Sequence, residues 1–83
     1  MKLHLKIRFF GSVKDEAGKE VYELDIPEGA MVMDLERSLR RELPQLWTGR
    51  SQLFFAVNQK YADQNEKLNE SDEIALFPMV SGG

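Results

Sequence analysis

The chain has 83 residues, and its 11 Lys and Arg residues against 14 Asp and Glu residues leave a net charge of −3. This length is typical of one domain, and the negative charge argues against nucleic-acid binding, which needs a basic surface. The sequence contains no cysteine, which excludes disulfide bonds, thiolate metal sites and a thiol nucleophile.

The first predicted element is a strand at the N-terminus. Apolar and polar residues alternate in LHLKIRF, and the apolar side is formed by Leu3, Leu5, Ile7 and Phe9. This period of two is typical of a strand with one buried face. His4, the only histidine, falls on the polar side. We predict an ordinary surface residue there and no metal site, because one imidazole cannot form such a site alone.

A second strand follows a polar connection at 11–19, in which SVKDEAG favours a short helical turn. Tyr22, Leu24 and Ile26 share one face of this strand. We therefore expect the first two strands to pair as an antiparallel hairpin with a long loop, which PEG at 27–29 ends.

The most convincing helix is predicted from Val32 onwards. Apolar residues recur there at intervals of three and four, on a stripe formed by Val32, Leu35, Leu39 and Leu43. This spacing predicts an amphipathic helix, and Pro44 ends it because the residue before a proline disfavours the helical conformation. The arginines at positions 37, 40 and 41 lie on the solvated face. Trp47, in the loop after the helix, is predicted to pack on the core.

Short strands complete the chain. LFFAV at 53–57 is a β-rich run, NQKY turns the chain towards an extra short strand near Tyr61, and EIALF at 73–77 is the last strand. The order predicts an α+β domain, specifically a β-grasp, ubiquitin-like fold with a mixed sheet and one main helix. We assign residues 1–77 to this domain and residues 78–83 to a flexible C-terminal tail. Since no stretch has membrane-spanning length and the N-terminus is not a signal peptide, the predicted location is the cytoplasm.

Three aromatic residues fit this arrangement poorly. Phe10 has the parity of the exposed side of the first strand, Phe77 has the parity opposite to the core residues of the last strand, and Tyr61 follows a turn. If the first and last strands are neighbours, Phe10 and Phe77 share the outer face of the sheet beside the tail. Exposed rings at this place predict a docking surface for a partner protein. The alternative is that they only cover the ends of strands.

The sequence ends FPMVSGG. A terminal diglycine is either a frayed end, as chain termini commonly are, or a segment that delivers a reactive carboxylate. Glycine suits the second role, because a chain without Cβ atoms can pass through a narrow channel. The pattern leaves both interpretations open.

Several segments together resemble a known family. The segments are a first strand ending in Phe9 and Phe10, an acidic turn closed by Gly18, AVNQ at 56–59 and DEIALFPMVSGG at 72–83. They are similar to the small, sulfur-carrying subunits of molybdopterin synthase, which are ubiquitin-like sulfur carriers, and the resemblance covers nearly the whole chain. Two positions depart from the family pattern: Met79 replaces the second proline of the tail, and Ser71 replaces a glycine before the last strand. Loss of that proline gives the free tail more conformations to lose on binding.

The resemblance implies a chemistry and a set of partners. An activating enzyme is expected to adenylate the carboxylate of Gly83 with ATP, and a sulfur donor is expected to convert it to a thiocarboxylate. The large synthase subunit, in a heterotetramer, is expected to receive the tail and pass its sulfur to a cyclic pyranopterin phosphate. The chain itself is expected to bind no cofactor and to act as a non-catalytic subunit whose reactive residue is Gly83. The implied partner-binding residues are Phe10, Tyr61, Phe77, Pro78, Met79, Val80, Ser81 and Gly82.

Two other functions remain open. A sulfur carrier for the thiazole of thiamine, for tRNA thiolation or for protein conjugation has the same fold and the same diglycine. An adaptor domain that binds through its sheet uses no chemistry at the C-terminus. A one-residue extension of the chain would leave such an adaptor unaffected.

Overall fold

The computed structural model describes residues 1–49 and 52–79. Strands and helices follow one another along these residues in the order β1 Lys2–Phe9, α1 Ser12–Ala17, β2 Val21–Pro27, α2 Val32–Glu42, a 3-10 helix Pro44–Trp47, β3 Leu53–Val57, β4 Lys60–Tyr61 and β5 Ile74–Pro78. The predicted helical turn is α1, and the predicted extra strand is β4. No helix in the described part of the chain is long and apolar enough to cross a membrane.

The strands form one mixed sheet in the order β2-β1-β5-β3-β4. β1 pairs antiparallel with β2, as predicted, and parallel with β5, so the first and last strands are neighbours at the centre of the sheet. β3 pairs antiparallel with both β5 and β4. With α2 as the main helix, this is the predicted α+β arrangement.

The hydrophobic core lies between one face of the sheet and the helices. β1 alternates exposed and buried residues along its whole length, and the predicted helix stripe is buried at Val32, Leu35 and Leu39. Full burial of an aliphatic side chain of this size contributes about 1.5–3 kcal/mol of stability. Leu43, the last residue of the predicted stripe, is only partly buried, because the helix has already ended at Glu42.

Local interactions define both ends of α2. At its start, the Asp34 carboxylate accepts a hydrogen bond of 2.8 Å from the Met31 amide, which satisfies a backbone donor that the first turn leaves free. At its end, Pro44 begins a turn of 3-10 helix, where a loop was predicted, since proline is tolerated in the first turn of a helix. Trp47 packs against the core, as predicted, and the Arg40 guanidinium lies 5.0 Å from its ring centroid.

β5 runs one residue past the predicted boundary at position 77. Pro78 still pairs with Leu53 of β3, and the Met79 amide donates a hydrogen bond of 2.9 Å to the Gln52 carbonyl. Proline donates no hydrogen bond itself, so pairing with the neighbouring segment resumes at the next residue. The chain is thereby held against β3 as far as Met79.

Candidate functional site

The sheet has one face that the helices leave uncovered, which we call the outer face. Because partners in paired strands lie side by side and point the same way, one row of residues crosses the outer face from β2 to β4. The row is formed by Val21, Arg8, Ala75, Ala56 and Tyr61. Arg8 is the only charged residue in it.

Three rings at one end of this row form what we call the aromatic cluster. It consists of Tyr61, which is the last residue of the row, and of Phe54 and Phe77 beside it. Phe54 and Phe77 are direct partners on β3 and β5, and their ring centroids lie 6.2 Å apart. Tyr61 meets both rings edge-on, at 6.0 Å from Phe54 and 5.6 Å from Phe77. Aromatic pairs with such geometry contribute about 0.5–1.5 kcal/mol beyond their buried area, so the cluster is an ordered surface.

The surface around the cluster brings together most of the predicted partner-binding residues that the structure describes. Tyr61 is 76% exposed and Met79 is 56% exposed, and both line one shallow depression, whose walls are Phe54, Tyr61, Phe77, Pro78 and Met79. We call these five residues the apolar patch. Phe54 was missed by the sequence analysis. The alternation in LFFAV is the signal that points to it, since Phe55 and Val57 are buried and Phe54, one residue before Phe55, has the opposite parity.

Phe10 is exposed, as predicted, but does not belong to the aromatic cluster. Its amide donates to the Leu76 carbonyl at 3.1 Å, so its backbone lies beside β5. The chain bends directly afterwards, at Gly11 with φ of 60°. The Phe10 side chain instead lines a second depression, together with Arg8, Gly11, Lys14 and Val21 among others. The sequence predicted the exposure of this ring but not its separation from the cluster.

Two contacts hold the segment from which the tail departs. A Cβ atom on Gly11 would lie 3.3 Å from Cγ of Pro78, so the proline ring sits against a backbone that has no room for a side chain. The hydrogen bond from Met79 to Gln52 holds the other side. The chain is therefore held within the apolar patch as far as Met79. The predicted residues Val80, Ser81, Gly82 and Gly83 lie outside the described residues.

Two titratable groups among residues 1–49 and 52–79 have perturbed pKa values, both far from the tail in sequence. Hydrogen bonds to Asp25 and then to Glu23 raise the pKa of His4. A hydrogen bond to Glu42, with a smaller contribution from burial, raises the pKa of Tyr22. In the described ranges, no group of three or more His, Cys, Asp and Glu side chains is arranged to hold a metal ion. What the described residues offer at this site is an apolar surface that extends to Met79.

Comparison with known proteins agrees with this geometry. The model of the ThiS family matches residues 7–83. The molybdopterin synthase sulfur carrier subunit of Dictyostelium discoideum is 38% identical over 86 residues, with all of both chains covered. Among solved structures, small archaeal modifier protein 1 of Haloferax volcanii has a TM-score of 0.82 at 26% identity, over 94% of this chain and 99% of that one. Subunits 1 and 2 of the molybdopterin-converting factor of Helicobacter pylori were solved as a complex. One chain of that complex matches this protein with a TM-score of 0.66 at 27% identity, and the match covers the whole of each of the two compared chains. These similarities confirm the predicted fold.

Proposed function

The chain belongs to the ThiS family, and we propose that it is the sulfur carrier subunit of a molybdopterin synthase. The observation that carries the proposal is the relationship to the Dictyostelium subunit of that name, which extends over the full length of both chains. That relationship includes the segment around the apolar patch and the terminal Gly82 and Gly83. The proposal gives these two features one common purpose, which is delivery of sulfur to a docked partner.

The proposed chemistry takes place at the carboxylate of Gly83. A carboxylate is a poor electrophile, so an activating enzyme first uses ATP to form an acyl-adenylate. A sulfur donor then displaces AMP and leaves a thiocarboxylate. The chain has no cysteine, and the thioether of methionine cannot become a thiolate, so the converted C-terminus is where this chain carries transferable sulfur.

The proposed role of the apolar patch is to dock the large synthase subunit, which then receives the tail. The Helicobacter neighbour comes from a complex of two subunits, which supports a partner of this kind. The contacts of Pro78 with Gly11 and of Met79 with Gln52 aid delivery, because they already hold residues 78 and 79 before the partner binds. Fewer residues to order means a smaller loss of conformational entropy on binding. The sulfur passes to a cyclic pyranopterin phosphate, and the catalytic side chains belong to the large subunit.

The thiocarboxylate is tested by mass spectrometry of protein from cells that make the cofactor. A mass gain alone is ambiguous, since replacing O by S and oxidising Met79 to its sulfoxide both add about 16 Da. Cleavage after Lys67 leaves Met79 and Gly83 on the same tryptic peptide, so the peptide mass does not separate them. Alkylation with iodoacetamide does, because the thiocarboxylate reacts and the sulfoxide does not.

The expected result is an alkylated C-terminal peptide from both the wild type and a Met79→Leu control. The modification should disappear in cells that lack the activating enzyme. A wild-type chain that is never alkylated in cells with an active molybdenum cofactor pathway would contradict the proposal.

A second candidate function is protein modification, which the likeness to small archaeal modifier protein 1 favours. Activation of Gly83 is common to both functions, but a modifier ends in an amide bond to an amine of a target protein. Affinity purification of a tagged chain after expression with its activating enzyme distinguishes them. Covalent conjugates that resist reducing agent support the modifier function, and an alkylatable free chain without conjugates supports the sulfur carrier.

A further inference from the structure

One cation lies within the otherwise apolar row on the outer face. Arg8 is flanked by Val21 on β2 and by Ala75 on β5, and Arg8 is exposed. The neighbouring alanine is too small to cover a guanidinium. On β5, Ala75 lies two residues before Phe77, so Arg8 is close to the aromatic cluster on the same face of the sheet.

Arg8 has no carboxylate partner within 4.0 Å among residues 1–49 and 52–79. The acidic residues of the adjacent strand region are already engaged, since Glu20 pairs with Lys14 at 3.5 Å and Glu23 pairs with His4 at 2.6 Å. Glu70 and Glu73 line a groove that Arg8 also lines, and neither approaches it to ion-pair distance. In the free protein, the guanidinium of Arg8 is therefore exposed to water within a row of otherwise apolar residues on the outer face.

Docking through the apolar patch would remove this guanidinium from water. A stable protein interface covers about 800 Å² on each partner, which is more than three aromatic rings supply, and the row on the outer face joins the aromatic cluster to Arg8; we take the covered area to extend along this row. Burial of an unpaired charge is strongly unfavourable. A partner that covers Arg8 must therefore supply an acceptor, and a carboxylate matches the planar guanidinium with two parallel hydrogen bonds.

We propose that Arg8 is a specificity-determining residue of the docking surface, and that the large synthase subunit presents a carboxylate to it. The inference rests on the proposed function and adds the chemistry of the partner: an apolar surface with one acidic side chain opposite Arg8. Partners without that acid leave the guanidinium unpaired and are rejected, which is how a buried polar group contributes to specificity.

The test measures binding of the carrier to the large subunit of its own synthase by calorimetric titration. Arg8→Glu should weaken binding by about thirtyfold or more, because it places like charges together in a desolvated contact. The matched control is Lys6→Glu, which reverses a charge on the same face of the same strand, opposite Glu23 and outside the row. This control should change binding by less than about threefold, as an exposed charge does. Arg8→Ala provides a second variant if thermal melts show that Arg8→Glu is less stable than the wild type.

A charge-reversal scan of the partner completes the test. Single Asp and Glu residues on the partner's docking surface are changed to Lys, and one of these variants should restore binding of Arg8→Glu. Equal binding of the Arg8→Glu and Lys6→Glu carriers would overturn the inference, and so would a scan in which no variant restores binding. If the wild type binds and carries an alkylatable thiocarboxylate in the same experiments, such a failure leaves the proposed function intact. A wild type that neither binds nor is alkylated overturns both.

Discussion

At the scale of single residues, both ring nitrogens of His4 face carboxylates. Nδ1 lies 2.8 Å from Asp25 and Nε2 lies 2.6 Å from Glu23. Carboxylates accept hydrogen bonds and donate none when ionised, so the arrangement favours the imidazolium form with a proton on each nitrogen. The hydrogen bond to Asp25, followed by that to Glu23, accordingly raises the pKa of His4 above 6.5.

We predict that His4 makes stability fall as the pH rises. A group whose pKa is higher in the folded state than in the unfolded state contributes its full stabilisation below the unfolded pKa and loses it as the pH passes the folded pKa. The loss should therefore begin near the ordinary histidine pKa of 6.5 and be complete above the raised folded-state pKa. Thermal melts of the wild type and of His4→Gln over this window measure it. The difference between the two melting temperatures should shrink with rising pH, and a constant difference would contradict the prediction.

A second residue-scale prediction compares Phe77 with Leu35. Leu35 is 0% exposed, so Leu35→Ser should destabilise the fold by at least the 2–5 kcal/mol that is typical of a buried Leu→Ala change. Phe77 lies on the outer face and is partly buried, so Phe77→Ser should destabilise less. It should nevertheless weaken binding to the large subunit by more than about 1 kcal/mol. Equal losses of melting temperature for the two variants would assign Phe77 to the core.

At the scale of elements, the β3–β4 hairpin carries Tyr61 into the aromatic cluster through a strained turn. Its two turn residues, Asn58 and Gln59, have φ of 53° and 70°, which is the pattern of a type I′ turn. Asn58 tolerates this conformation, and its side chain also links the turn to the loop before β5, where its Oδ1 accepts a hydrogen bond of 3.0 Å from the Glu73 amide. Gln59 is not a residue type that tolerates the left-handed conformation as Asn does. That conformation is unfavourable for Gln59 because its Cβ atom crowds the backbone.

We predict that Gln59→Gly stabilises the domain by about 1 kcal/mol, because the left-handed conformation is about 1–2 kcal/mol unfavourable for non-glycine residues and glycine adopts it freely. The matched control is Gln45→Gly in the 3-10 helix, an exposed position without positive φ. This control should lower stability by about 0.5–1 kcal/mol, as glycine does within regular structure. Urea denaturation of both variants gives the free energies of unfolding. A loss of stability in Gln59→Gly would show that the turn is not strained.

At the scale of the whole molecule, the number of residues between the folded domain and the proposed reactive carboxylate of Gly83 is fixed by the sequence. The domain holds the chain through Met79, and four residues follow. Changing their number moves the terminal carbonyl by about 3.5 Å per residue of extended chain. A displacement of 1 Å at a reacting group can reduce a rate by about two orders of magnitude.

Deletion of Gly83, or addition of one residue after it, should therefore abolish sulfur transfer and leave the melting temperature unchanged. Ser81→Ala preserves the length and serves as the control, which should retain transfer. Product formation by the reconstituted synthase measures the effect. If the chain with the added residue is not trimmed and still supports synthesis, the terminal carboxylate is not the reaction site.

The sequence by itself determined which residues face the core. The alternation in β1, the stripe at Leu35 and Leu39 and the outward parity of Phe77 were all evident, because burial on one face imposes a period of two on a strand and about 3.6 on a helix. These periods are local properties of the chain. The sequence also indicated the turn before Tyr61 and the end of α2 just before Pro44, because these depend on the backbone preferences of single residues.

Only the tertiary structure decided which outward residues are neighbours. The order β2-β1-β5-β3-β4 places Phe54 beside Phe77, and the hairpin register places His4 opposite Asp25. Such pairings depend on strand order and register, which arise from packing between segments distant in sequence. The bend at Gly11 turns Phe10 away from the cluster, and the same sheet leaves Arg8 without a carboxylate among the described residues. Periodicity predicts that a side chain points outwards, but the order and register of the neighbouring strands determine which residues it contacts.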